Sequence, residues 1–238
     1  LNILMILFIN PPFGNYINLP YTIPIRGSFT LEPRKGLISQ IFKTLRYSFD
    51  NKGWINKIGL RNKGIDYAIS TYKKNEIISI AIMDKSEIEI FNKKIPKDMN
   101  LEINISCPNI SKKLTNSGID CFLNQKRKWC IIKLSPLTDK KLIDSYYKQG
   151  FRQFHCCNTL PVKNGGLSGV KLIPYVTNQI NYIKSTYNDT ITIAGGGIRN
   201  WRDVENYKKI NTDHIGVSTI LFNPIKFSYL YFYYIKNI

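Results

Sequence analysis

The chain has 238 residues, 43% of them apolar, and a formal charge of +18; that length and content support a buried core and exclude a disordered tail or a disulfide-stapled miniprotein. Ile, Lys, Asn, Tyr and Phe together supply 115 residues, whereas Ala occurs 3 times and Arg 8 times. This bias toward A+T-rich codons accounts for the lysine excess without a nucleic-acid partner, since a phosphate-reading surface draws on the bidentate guanidinium of arginine as well.

The first expected strand, 3–9, is also the longest apolar run. It falls far short of the roughly 20 residues that cross a bilayer, and no basic segment precedes it, so a soluble chain without span or signal peptide is expected. A second strand is expected at 23–29, a helix at 65–74, and strands at 77–83, 101–106 and 129–134. A helix over 139–149 takes Thr138 as N-cap and Gly150 as C-cap. Strand 153–157, helix 172–187, strand 190–194, helix 201–209, strand 214–218 and helix 224–236, with Pro224 in its first turn, complete the series. The later strands are unbroken apolar runs, as parallel strands covered on both faces require. Eight strands with interleaved helices fit a single α/β domain over 1–238, a (β/α)8 TIM barrel, with an open doubly wound sheet as the alternative.

The unusual residues cluster just after strand ends, where barrels carry their active sites. Strand 101–106 runs into Cys107, Pro108 and Asn109, with Pro108 stopping the strand. A lone cysteine is usually a small buried hydrophobe, so Cys107 taken alone decides little. Lys133 interrupts the apolar run WCIIKLSP, which disfavours a snorkelling surface role. Glycines 165, 166, 169, 195, 196 and 197 would let backbone N–H groups approach a phosphate. The five cysteines, Cys107, Cys121, Cys130, Cys156 and Cys157, contain no C-x-x-C pair, which excludes the usual zinc spacing and suits a reducing compartment.

Asn104 to Asn109, NISCPN, resembles the active-site signature of the dihydroorotate dehydrogenases. Other segments agree in order: TLEPR at 30–34 with Gly36, NKIGLRNKG at 56–64, KLSP at 133–136, Asn158-Thr159, GGLSG at 165–169, GGGI at 195–198 and Ser218-Thr219. The resemblance covers roughly 25–225 and implies an FMN-dependent barrel that oxidises dihydroorotate to orotate in pyrimidine (UMP) synthesis. Cys107 would remove the C5 proton while hydride leaves C6 for FMN N5, and Lys133 would stand near N1 and O2 of the flavin. Substrate contacts implied in the same way are Asn56, Asn104, Asn109, Asn158 and Thr159, with the backbone of Ile58, Gly59 and Leu60 closing one side. For the cofactor the resemblance implies Gly27, Ser28, Asn104, Lys133, Cys157 and Gly169 around the ring and ribityl chain. Gly196, Gly197, Ser218 and Thr219 would hold the phosphate. The resemblance also implies a homodimer and allows an electron-transfer partner subunit.

Departures from the pattern matter too. Soluble-class relatives carry Lys-Thr or Lys-Ser where this chain has Gly27-Ser28, beside Arg26. The membrane-associated class has Gly-Thr there but a serine base, so Cys107 favours the soluble class and a cytoplasmic setting, an organelle matrix being the alternative. Asn10 to Gly14 resembles a shortened first-strand loop without the usual small-residue flavin contact, and Ser218-Thr219 replaces Gly-Thr. Lys112 and Lys113 offer either a basic lid or a solvated pair. Two other readings compete: a tRNA dihydrouridine synthase, and a flavin-free barrel kept as a basic, RNA-contacting subunit. The leading reading expects the Cys107 thiol and the Lys133 ammonium in one cavity, on opposite sides of a flat heterocycle.

Overall fold

A computed structural model describes residues 4–105 and 118–238. Eight parallel strands close into a barrel: β1 (Leu7–Ile9), β2 (Thr22–Phe29), β5 (Ile77–Ala81), β6 (Leu101–Asn104), β7 (Cys130–Leu134), β8 (Gln153–Cys156), β11 (Ile191–Gly195) and β12 (His214–Val217). Closure is made by β1 pairing with both β2 and β12. All eight coincide with expected strands; six are shorter at one end, whereas β2 starts one residue earlier and β11 is shifted by one residue at both ends, and residue 3 and Ser106 lie outside the described residues. The barrel thus replaces the open-sheet alternative.

Helices α1 (Leu37–Thr44), α2 (Ile65–Ser70), α3 (Glu87–Lys94), α4 (Lys140–Lys148), α5 (Ile173–Thr186), α6 (Trp201–Lys208) and α7 (Pro224–Lys236) lie between and after the strands. Val176, Ile180 and Ile183 of α5, and Phe227, Leu230 and Tyr234 of α7, recur at helical spacing and bury one face of each helix. The N-cap of α4 is Asp139 rather than Thr138: its carboxylate accepts from Leu142 N–H at 2.8 Å, while Gly150 follows the helix with φ +104°, as a C-terminal glycine should. The α2 helix stops at Ser70 instead of reaching 74, where the Thr71 hydroxyl bonds back to Tyr67 O.

A second, antiparallel sheet was not among the expected elements. It comprises β3 (Arg46–Ser48), β4 (Gly53–Asn56), β9 (Leu160–Val162) and β10 (Gly165–Gly169), in the order β3-β4-β10-β9. Its strands come from the segments after β2 and after β8, so it joins two distant loops. Here Gly165 and Gly166 have a steric purpose. A Cβ at 165 would stand 2.1 Å from Asn56 O, and one at 166 would stand 2.4 Å from Thr159 Oγ1.

Strand alternation divides the apolar interior in two. Leu101, Ile103, Ile132, Phe154 and Ala194 face outward into one large cluster with the helices. Phe8, Ile25, Ile77, Trp129, Ile131 and Ile193 form a separate cluster inside the barrel. His214 adjoins this inner floor, with its ring 5.8 Å from Phe8 and 5.6 Å from Trp129, and its Nδ1 accepts from Ile6 N–H. Burial lowers its pKa to about 4 despite Asp213 beside it, so the imidazole is neutral in the fold. The unfolded chain takes up that proton near pH 6.5. The contribution of His214 to stability is therefore complete above pH 6.5 and falls by up to about 3 kcal/mol as pH drops toward 4. Urea unfolding of wild type and His214→Phe across this range checks the expectation: the variant should show a shallower decline, and parallel curves would contradict it.

Candidate active site

The polar layer of the barrel stands one strand repeat above its apolar floor. Asn10, Ser79, Lys133 and Gly195 each follow a floor residue by two positions, after Phe8, Ile77, Ile131 and Ile193, and so share its inward face. Glu102 and Asn104 share a face of β6 by the same rule, as do His155 and Cys157 at the end of β8. Register sets their neighbours: Glu102 pairs with Ser79, and Lys133 with both Asn104 and His155.

Glu102 is the hub. Its Oε1 accepts from Ser79 Oγ at 2.7 Å and lies 3.4 Å from Lys133 Nζ, and its Oε2 lies 2.5 Å from His155 Nδ1. Burial opposes its ionisation, but Lys133, His155 and the hydrogen bonds outweigh that penalty and hold the carboxyl at about pKa 2. Burial also keeps His155 below the usual histidine range, against the pull of Glu102. The buried cluster is thus one carboxylate against one ammonium and a neutral imidazole.

A chain of hydrogen bonds climbs from this hub to the mouth. Because the Ser79 hydroxyl donates to Glu102, Ser28 Oγ donates to Ser79 across 2.9 Å. Asn104 Nδ2 donates to Ser28 at 2.8 Å, Asn158 Nδ2 donates to Asn104 Oδ1 at 3.0 Å, and Thr159 N–H donates to Asn158 Oδ1 at 2.8 Å. Every donor along the chain points toward the carboxylate. Gly27 is tight here, since a Cβ would stand 2.4 Å from Ser79 O, which leaves no room for a lysine side chain.

A cavity of about 80 Å³, partly open to solvent, opens above this network at the carboxyl ends of the strands. It brings together much of the expected site: Lys133, Cys157, Asn158, Thr159, Gly169, Gly196, Gly197, Ser218 and Thr219 all line it. Ser28 and Asn104 are tied to Asn158 by the hydrogen bonds above. Asn56 lies on β4 opposite Gly166, which packs on Thr159. Ile58, Gly59 and Leu60 follow β4 and do not line this cavity, although Gly59 and Leu60 both take positive φ, +69° and +54°. Cys107, Asn109, Lys112 and Lys113 lie outside the described residues.

The lining offers a ligand one buried cation, bare backbone, and side-chain amide and hydroxyl groups. Lys133 supplies a cation from within the barrel, and Gly169 and Gly196, at φ +143° and +133°, present bare backbone. Asn10 Oδ1, on a residue of the same wall, is buried and lacks a hydrogen-bond partner. Gly195 has a steric purpose: a Cβ there would stand 2.2 Å from His155 Nε2, so this residue makes room for the buried histidine. Sequence reading gave no role to Asn10, Ser79, Glu102 or His155. For Glu102 and His155 the signal is the two-residue spacing to Asn104 and Cys157 along apolar strands.

Among the described residues no helix is long and apolar enough to cross a membrane, and no cluster of His, Cys, Asp and Glu could hold a metal ion. Among curated proteins, the chain is 26% identical to the catalytic subunit of dihydroorotate dehydrogenase B (NAD(+)) of Thermotoga petrophila, over 88% of this chain and 87% of that protein. Its identity to the protein of the same name in Oceanobacillus iheyensis is 28%, over 89% and 81% of the two chains. A Streptococcus agalactiae protein provisionally named dihydroorotate dehydrogenase A (fumarate) is 26% identical, over 82% and 76%. The family model described as dihydroorotate dehydrogenase matches residues 15–224, which include the barrel from β2 to β12 and the whole cavity wall except Asn10 and Pro11; the chain belongs to the dihydroorotate dehydrogenase family.

Proposed function

We propose that this chain binds FMN in the barrel-mouth cavity and oxidises (S)-dihydroorotate to orotate, the redox step of pyrimidine synthesis. The observation that carries the reading is the convergence on one cavity of an inward ammonium, Lys133, a glycine-lined wall at Gly169, Gly196 and Gly197, and the Asn158 amide, which Asn104 holds from behind by a hydrogen bond. When bound, FMN supplies the acceptor for the C6 hydride. Cys107, three residues beyond Asn104, takes the C5 proton, and the two losses leave the C5–C6 double bond of orotate. Lys133 favours negative charge on the pyrimidine end of the cofactor, because a fixed cation in a largely dry site needs no reorganisation. Asn104, Asn158 and Thr159, with Asn56 and Asn109, offer paired donors and acceptors to the amide edges of the substrate. Gly196, Gly197, Ser218 and Thr219 hold the phosphate through backbone and hydroxyl groups.

The absorption spectrum of the purified protein tests the reading. It should show bound flavin, and anaerobic dihydroorotate should bleach it while releasing orotate. A colourless protein that takes up no added FMN would overturn the proposal and favour a barrel without redox function.

A further inference from the structure

Asn10 stands immediately after β1, its backbone N–H bonded to Val217 O at 2.8 Å and its side chain 3.3 Å from His155 through Nδ2. Proton accounting decides which way its carboxamide faces. The ionised Glu102 accepts from His155 Nδ1 at 2.5 Å, so the proton of the neutral imidazole sits on Nδ1 and Nε2 keeps a lone pair. Only the NH2 of Asn10 can face that lone pair, which turns Oδ1 away as an acceptor.

That oxygen is buried and has no partner. Among the described residues, Arg34 Nε, Arg61 Nε, Tyr146 OH and Gln179 Oε1 share this condition, but Asn10 alone of the five lies on the wall of the barrel-mouth cavity. Buried acceptors in folded proteins are nearly always satisfied, so an unpaired one on a cavity wall indicates a missing donor. The arrangement is also built at a cost to two strands. A Cβ at Gly216 would stand 2.7 Å from Asn10 Nδ2, and one at Gly195 would stand 2.2 Å from His155 Nε2. Glycine weakens strand interiors, and here adjacent strands each carry one where the His155–Asn10 pair needs the space.

We infer that Asn10 is a cofactor-binding residue whose carbonyl accepts a hydrogen bond from an N–H or O–H of the flavin beside Lys133, and that His155 and Glu102 are positioning residues that fix the carboxamide. The inference rests on the FMN reading of the cavity. The flavin offers two donor sources, its ring N3–H and its ribityl hydroxyls. Both suit an acceptor placed near a cationic donor.

Titration of the apoprotein with FMN, followed by flavin fluorescence, tests the inference in wild type, Asn10→Leu, His155→Phe and the double variant. Asn10→Leu should weaken binding by about tenfold, the scale of one lost hydrogen bond in a dry site. His155→Phe should weaken it in the same direction, and the double variant should be no weaker than Asn10→Leu, because both changes remove one interaction. With N3-methyl FMN the difference between wild type and Asn10→Leu should vanish if the ring N–H is the donor. If it persists there and vanishes with lumiflavin, the ribityl chain is the donor. A separate measurement needs no variant: nitrogen-15 NMR of the wild type should find His155 protonated on Nδ1 only. Equal FMN affinity in wild type and a folded Asn10→Leu protein, or a proton on His155 Nε2, would overturn the assignment of Asn10. Failure of the wild type to bind FMN would instead remove the functional reading on which it rests.

Discussion

Replacing Cys107 by alanine should slow anaerobic reduction of the bound flavin by dihydroorotate by roughly 10²–10⁴-fold, the usual worth of a positioned base, while FMN remains bound. Stopped-flow absorbance measures both quantities. The other cysteines make the prediction sharp, because burial raises each of their thiols. Cys121 and Cys156 rise above the ordinary range, Cys130 is pushed up to about 11 and Cys157 to about 12. None of these four offers a thiolate at neutral pH, although Cys157 lines the cavity itself. Cys157→Ala should therefore keep the reduction rate within a few-fold of wild type. Wild-type turnover in Cys107→Ala would assign the proton transfer to another group.

Glu102→Gln should lower the unfolding free energy by about 3–5 kcal/mol, because it leaves the Lys133 ammonium buried without its counter-ion. Urea denaturation at neutral pH reads this directly. The pH dependence carries a second signature. The Glu102 carboxyl, held at about 2 in the fold against 4.5 as reference, adds stability that is complete above pH 4.5 and lost as pH falls toward 2. That segment of the acid decline should disappear in the variant. Pairing Glu102→Leu with Lys133→Met should restore much of the stability, since buried ion pairs are commonly replaced by apolar groups without loss. The double variant should nevertheless lose flavin reduction, which separates what holds the barrel from what drives its chemistry. A Glu102→Gln protein as stable as wild type would show that the carboxylate does not hold the cluster together.

The barrel is legible because strands covered on both faces are largely apolar, so Ile77–Ala81 and Cys130–Leu134 stand out as runs broken only by Ser79 and Lys133. The second sheet is not. Its β10 strand reads GGLSG, a composition that local propensity assigns to a loop, and it becomes a strand only because β4 and β9 flank it. Helices α1 and α3 also escaped the reading. In α3 the run Glu87–Lys94 places Ile88 and Ile90 two apart, which imitates a strand, whereas Ile88 and Phe91 are the buried pair at helical spacing. Within the site, the short motifs located Lys133, Asn104, Asn158 and the glycine wall. Glu102 and His155 were hidden because partners 23 to 53 residues away decide whether a polar residue inside a strand is a hub or a defect.

The layered interior gives protein engineers two separable handles. Repacking Ile25, Ile77, Ile131 and Ile193 with other aliphatic side chains would tune heat resistance from beneath, one full storey away from the polar layer. Retargeting the cavity to another ligand is another matter: Asn10, Ser79, Glu102, Lys133 and His155 interlock, so a change at one shifts what its neighbours can accept, and a library is best built by randomising the quintet together.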